Sequence, residues 1–409
     1  MIPEVRFKGF EDEWEQGKLF DMMNFSNGIN APKENYGKGR KMISVMDILA
    51  DEPLTYDSIR DSVEIDSKTE KRYRVEEGDL VFVRSSEVVN EVGWAKAYLE
   101  KEPALFSGFS IRGKRKGDYD PLFVELSINE KNREHIERKA GGSTRYNVGQ
   151  SILSSVTIWE PSHIEQTKIS NFLKHIINII AFRQRELKKL NRFKEAMFKK
   201  MLPNEDHPVP EIRFEGFERK WDSVKLKNAF IKGGSGGTPN TDKKSYYNGN
   251  IPFLSISDIS DSTGVITKTE KTITRKGLDN STAYIVPKGS VSLAMYASVG
   301  KVAKLGIDTA TSQAFYNMEF ESEDLSDYVY FYLKKMEVEN GWRKLISTGT
   351  QSNLNAEKVK NLNVFMPKLE EMKKINSFFR SLEKKLNLET KRINKLKQFK
   401  QAMLHKMFI

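Results

Sequence analysis

Two stretches of the chain carry apolar residues at steps of three, four and seven. The first runs Ile169, Phe172, Ile176, Ile180, Leu187, Leu190, Met197, Met201, and the second runs Ile375, Phe378, Leu382, Leu386, Ile393, Leu396, Met403, Met407. That spacing lines side chains along one stripe of a helix, in the pattern of a coiled-coil seam. No Pro or Gly interrupts either stretch before Pro203. Pro161 and Pro367 mark the two starts, and Ser162 with Glu165 forms a capping-box pattern that the second stretch lacks. A helix of about 40 residues is ~60 Å long, and alone it would expose its whole stripe. The two helices are therefore expected to pair, running antiparallel. Near the middle each stripe turns polar, at Arg183/Gln184 and Glu389/Thr390. Polar residues in a seam often set register. In an antiparallel pair Arg183 meets Glu389 at the crossing; the alternative is that both are solvated outer-face residues. Ile177, Phe182, Leu388 and Leu404 flank the seam and are expected to be exposed to a further helical partner.

Outside these stretches the pattern shortens. Runs such as MISVMDI, DLVFVR, YNGNIPFLSISDI and SVSLAMYASVGKVA alternate with Gly, Asn and Asp, which reads as strands joined by turns. Helices are expected near 120–140 and 325–346. The chain is also written twice. IPEVRFKGFEDEWEQGKL at 2–19 returns as VPEIRFEGFERKWDSVKL at 209–226, with no gap, and 158–203 returns as 364–409. A period this long is not a solenoid repeat. The bodies between align less strictly: Tyr36, Ser44, Asp47 and Gly78 pair with Tyr247, Ser255, Asp258 and Gly289, and Gly93 pairs with Gly300 after a shift in register. Arms and helices are closely kept while the bodies have diverged. That fits a common frame presenting two different readers, and it fits looser constraints on surface loops equally. The expected fold class is α+β: two tandem mixed α/β domains at 1–160 and 204–366, separated by long helices at 161–203 and 367–409 that form an antiparallel coiled coil with pseudo-two-fold symmetry.

Charge sharpens this picture. The formal net charge is +11 over 409 residues, which favours nucleic acid or another acidic partner. Residues 162–203 and 368–409 carry more than all of that excess, and the rest is net negative. Lys and Arg also keep long helices soluble, so both readings stand. The absence of cysteine excludes disulfides and thiolate metal sites. No apolar run approaches a membrane span, and the start has no apolar signal region, so a cytoplasmic location with no membrane contact is expected. There is no phosphate-binding loop, the five histidines show no metal-ligand spacing, and GGSGGTP at 233–239 reads as a loop. No catalytic residue and no metal site is expected.

The P-E-[IV]-R-F-x-G-F-E-x-x-W arms at 3–14 and 210–221, GGTPNTDKKSYYNGNIPFLSISDI, ISTGTQSNLN and the FKEAMFKKML/FKQAMLHKMF helix ends together carry a resemblance. Over essentially its full length the chain resembles the DNA-specificity subunits of Type I restriction-modification systems. The first body departs from the pattern: the GGTP loop has no clear counterpart there, and Arg145-Tyr146-Asn147 stands opposite Gln351-Ser352-Asn353. The resemblance implies a non-catalytic reader whose two target-recognition domains each read half of a bipartite site in double-stranded DNA. The helices would act as spacer and as platform for two modification subunits, which bring AdoMet. Restriction subunits would join with ATP and Mg, and this chain would hold no cofactor itself. A coiled-coil adaptor without DNA reading is the alternative. Base reading needs Arg, Asn, Gln or small hydroxyls on groove-facing loops. The candidates are Arg84, Ser85, Ser86, Arg145 and Asn147 in the first body, and Tyr296, Ser298, Gln351 and Asn353 in the second.

Overall fold

The computed structural model describes residues 1–261, 264–296, 298–346 and 354–409. Contacts gather into two units: Met1–Arg185 with Lys391–Ile409, and Glu186–Thr390. The division falls inside both long helices, His163–Met201 and Leu369–Met407. Each unit therefore holds a leading arm, a body, the first half of the helix that follows that body, and the last half of the other helix.

The arms explain why 2–19 and 209–226 are so alike. In the first unit Arg6 donates two hydrogen bonds to Glu165, at 2.7 and 2.8 Å, and the Val5 N–H donates to the Lys406 carbonyl at 2.9 Å. In the second unit Arg213 donates to Glu371 at 2.9 and 2.8 Å, and the Ile212 N–H donates to the Lys200 carbonyl at 2.9 Å. Each arm thus clamps the start of one helix to the end of the other. Planar guanidinium matches carboxylate two-on-two, so the motif keeps Arg. Aromatic contacts repeat the plan. Phe172 sits between Phe7 and Phe399, with centroids at 5.9 and 6.5 Å. Phe378 sits between Phe214 and Phe193, at 6.5 and 6.4 Å. In both units an early residue of one helix meets a late residue of the other, so the segments run antiparallel.

The predicted stripe faces inward. Ile169, Ile176, Ile180 and Ile393 are buried in the first unit, with Phe172 and Leu396 half-buried. Ile375 and Leu386 are buried in the second, with Leu187, Leu190, Phe378 and Leu382 half-buried. Each buried aliphatic side chain contributes about 1.5–3 kcal/mol. Arg183 belongs to the first unit and Glu389 to the second; both are half-buried. Two expectations are corrected. Glu165 closes no capping box with Ser162, because Arg6 takes both of its oxygens. Leu404 is buried rather than exposed, lining a cavity with Leu122 and Leu126 of the first body.

The bodies are strand-rich, as the short alternating runs require. The first has an antiparallel sheet in the order Met23–Asn27, Ser110–Arg115, Leu80–Val83, Ala95–Ala97, and a second sheet of Asp61–Val63, Tyr36–Ile43 and Leu105–Phe106. The second body repeats this with Lys232–Ser235, Phe315–Glu319, Val291–Ala294 and Val302–Leu305, with Val265–Ile266 added at the edge. Tyr247–Leu254 is central in its other sheet. Helices Pro121–Lys131 and Glu323–Val338 stand where they were expected, their first turns capped by Asp120 on the Phe123 N–H and Ser322 on the Leu325 N–H. Ser44–Asp47 and Ser255–Asp258 make the same side-chain hydrogen bond, at 2.7 and 2.6 Å.

The GGSGGTP run departs from its loop reading in its first three residues only. Lys232–Ser235 is a strand paired with Phe315–Glu319, and the chain then passes tightly by Thr311, whose carbonyl oxygen would lie 1.9 Å from a Cβ on Gly236. The counterpart in the first body is Gly28, where a Cβ would lie 2.1 Å from the Ser107 carbonyl oxygen. A single glycine is kept at that crossing, too little for a sequence match.

Candidate nucleic-acid interface

Leu80–Val83 is a fully buried strand, and Arg84 is the first residue beyond it. There the chain leaves the sheet but stays tied at both sides. The Arg84 N–H donates to the Phe109 carbonyl at 2.8 Å, and the Val148 N–H donates to the Arg84 carbonyl at 2.9 Å. Ser85–Ser86 then pairs antiparallel with Tyr146–Asn147, in the register Ser85 to Asn147 and Ser86 to Tyr146. Candidates about 60 residues apart in the chain thus lie side by side. Asn147 exchanges backbone hydrogen bonds with Gly141 at 2.8 and 3.1 Å. Gly142, at φ +124°, closes the turn that carries Arg145; a Cβ there would meet the Arg145 carbonyl at 2.0 Å.

The side chains divide into two kinds. Ser85 and Ser86 are buried, and the Ser86 hydroxyl is spent on the Glu91 carboxylate while accepting from the Val88 N–H at 3.1 Å. The Ser86 hydroxyl thus braces the loop. Arg145 and Asn147 are exposed and Arg84 is half-buried. Arg84 Nη1 reaches the Gly108 carbonyl at 3.3 Å, and the Arg145 guanidinium lies 5.2 Å from the centroid of the Phe109 ring. Phe109 is 51% exposed.

The second body builds the same cradle with other side chains. The Met295 N–H donates to the Ala314 carbonyl at 2.8 Å, and the Leu354 N–H donates to the Met295 carbonyl at 2.9 Å. Gly93 bonds to Val83 and Gly300 to Ala294 in the same way, at 2.7 and 2.9 Å. Met295 therefore stands where Arg84 stands, and Ala314 where Phe109 stands. Tyr296 is exposed. Ser298 is exposed with φ +55°, in the left-handed region, and its carbonyl accepts from the Lys301 N–H at 3.1 Å. Gln351 and Asn353 lie outside the described residues.

Residues 218–398 match the family model described as the Type I restriction modification DNA specificity domain. Over that stretch the chain is similar to this specificity family. Among curated relatives it is 32% identical over 160 residues to the MjaIX type I restriction enzyme specificity subunit of Methanocaldococcus jannaschii. That match covers 38% of this chain and 36% of the relative, so it spans about a third of that protein's length. The putative MjaX specificity subunit of the same organism is 22% identical over 411 residues, covering 96% of this chain and 92% of the relative. In fold the chain is similar to the Type I restriction-modification S subunit from M. genitalium, with a TM-score of 0.64 at 14% identity, covering 100% of this chain and 99% of that one.

Within this fold the sequence reading missed one turn. Ser107-Gly108-Phe109-Ser110 in the first body and Ser312-Gln313-Ala314-Phe315 in the second each close on the serine carbonyl, at 2.9 and 3.3 Å. Each lies directly beside the end of the buried strand. The turns share only the leading serine, and no charge or periodicity marks them. The only available signal is an isolated Phe between turn residues. In the cavity of about 680 Å³ in the second unit, Lys304 and Arg380 both pair with Asp327.

Proposed function

We propose that this chain is the non-catalytic DNA-reading subunit of a Type I restriction-modification assembly. Each unit reads one half of a bipartite, asymmetric site in double-stranded DNA. The observation that carries this reading is the duplicated cradle. One pair of backbone hydrogen bonds holds Arg84, Phe109 and Val148 in one unit and Met295, Ala314 and Leu354 in the other. A conserved frame with exchanged side chains is what two readers of unlike half-sites require. Arg145 is suited to bidentate bonding to guanine O6 and N7, and Asn147 to adenine N6 and N7. Tyr296, Ser298, Gln351 and Asn353 are the corresponding candidates of the second reader.

The paired helices are the spacer and the docking platform for two modification subunits. Ile179, Phe182, Phe193, Leu388 and Phe399 stay exposed on them, a set that a helical partner would cover. AdoMet arrives with those subunits, and ATP and Mg with the restriction subunits. The test is methylome sequencing of cells with and without the chain, then with Arg145→Ala. The reading expects a bipartite adenine-methylated motif that depends on the chain. Arg145→Ala should cost ~1–3 kcal/mol and relax one base pair of one half-site. Equal weakening on all sequences would make Arg145 a phosphate contact. A motif unchanged by removing the chain would favour the adaptor reading.

A further inference from the structure

Phe109 is an exposed aromatic in the middle of the first reader's polar cluster. Single exposed apolar residues are ordinary, but this one is held. Its carbonyl is fixed by the Arg84 N–H, the carbonyl before it takes the Arg84 guanidinium, and its ring takes the Arg145 guanidinium. Three constraints hold an apolar ring beside two arginines, in the loop proposed above to meet DNA. The other reader has Ala314 at the same place, so the ring is not part of the shared frame.

We infer that Phe109 is a specificity-determining residue of the first half-site, which recognises the 5-methyl group of a thymine adjoining the base read by Arg145. This rests on the reading of that loop as a DNA reader. Apolar side chains meet the thymine methyl in the major groove, where arginine meets guanine. The alternative use of an exposed Phe is as a wedge between base steps. A wedge needs both ring faces against bases, and here Arg145 covers one face at 5.2 Å. The edge stays open, and an edge is what a methyl group contacts. Stacking also limits the rotamers of Arg145, so less freedom is lost when its fork engages a base.

The experiment uses the full chain assembled with modification subunits, on duplexes carrying the motif. Each thymine of the first half-site is replaced in turn by uracil, which removes only the methyl group. One replacement should weaken binding by the wild type about fourfold, the effect of one buried methyl. Phe109→Ala should bind thymine and uracil duplexes equally, and Phe109→Leu should keep part of the preference. Three results overturn the inference while leaving the loop a reader: a first half-site without a T·A pair, no uracil-sensitive thymine although Arg145→Ala relaxes the motif, or 2-aminopurine beside the site brightening with the wild type but not with Phe109→Ala, the mark of a wedge. If Arg145→Ala, Asn147→Ala and Phe109→Ala all leave the motif unchanged, the loop itself does not read DNA and both conclusions fall.

Discussion

Glu371 anchors the arm of the second unit. Its side chain is 3% exposed and accepts three hydrogen bonds: two from Arg213, and one from the Trp221 indole N–H at 2.9 Å. Glu371→Ala leaves the guanidinium of Arg213, itself 14% exposed, without its counter-charge. Breaking a buried pair from one side costs about 3–5 kcal/mol. The stranded indole N–H adds about 1 kcal/mol or more, for a total of about 4–6 kcal/mol. The equivalent Glu165 accepts two hydrogen bonds, both from Arg6, so Glu165→Ala should cost about 3–5 kcal/mol in the first unit. Peptide-resolved hydrogen exchange is the suitable assay, because it reads each unit by itself. A loss of 4 kcal/mol raises the opening equilibrium about a thousandfold. It should appear in the arm 210–221 and in the first half of Leu369–Met407. Glu371→Gln, which can still accept from Trp221, should fall between the two. If Glu371→Ala changes protection there by less than about tenfold, or if Glu165→Ala costs more, the arms are not the clamps described here.

Two further outcomes follow from other parts of the fold. Gly236→Ala and Gly28→Ala should each lower the urea midpoint, by about 1–3 kcal/mol of stability or more, because the new Cβ meets a backbone carbonyl at 1.9 or 2.1 Å; stability within about 0.5 kcal/mol of wild type would show that these crossings relax freely. Burial raises the Glu125 carboxyl above its ordinary value of 4.5, with Lys96 and Lys400 and the Ala97 N–H pulling it back. A raised folded value makes the contribution of Glu125 fully present below its unfolded value and lost as pH rises through the folded one. Glu125→Gln should therefore flatten the fall of first-unit stability above about pH 4.5, as measured by urea unfolding at pH 5 and 8, and an unchanged slope would refute this.

Much of the frame was legible in the chain because its determinants are periodic or duplicated. The helix stripe repeats on a helical period, and the arm motif recurs with every clamp residue in place: Arg6 and Arg213, Glu165 and Glu371. The loop register was legible too. Gly93 and Gly300 share a left-handed conformation at φ +68° and +86° and the same hydrogen bond, so their pairing held. The Ser162–Glu165 cap failed for a reason no local pattern contains. Its acceptor is claimed by an arginine 159 residues away. The exposure expected for Leu404 failed likewise, because the first body covers it.

By itself, the sequence determined the duplication, the two helical stripes, the strand-rich bodies and the positions where the two bodies differ. All of these are local or periodic, and helix and strand geometry convert them directly into faces. Only the tertiary structure decided which side chains of these loops are exposed and which are buried. Ser85 and Ser86 turned inward because Glu91 and Tyr146–Asn147 lie against them. Arg145 came to rest on Phe109 because a glycine turn and a strand end, far apart in the chain, converge there. Whether a polar side chain braces a loop or faces a groove depends on neighbours brought in by folding, and a short aperiodic loop does not encode them.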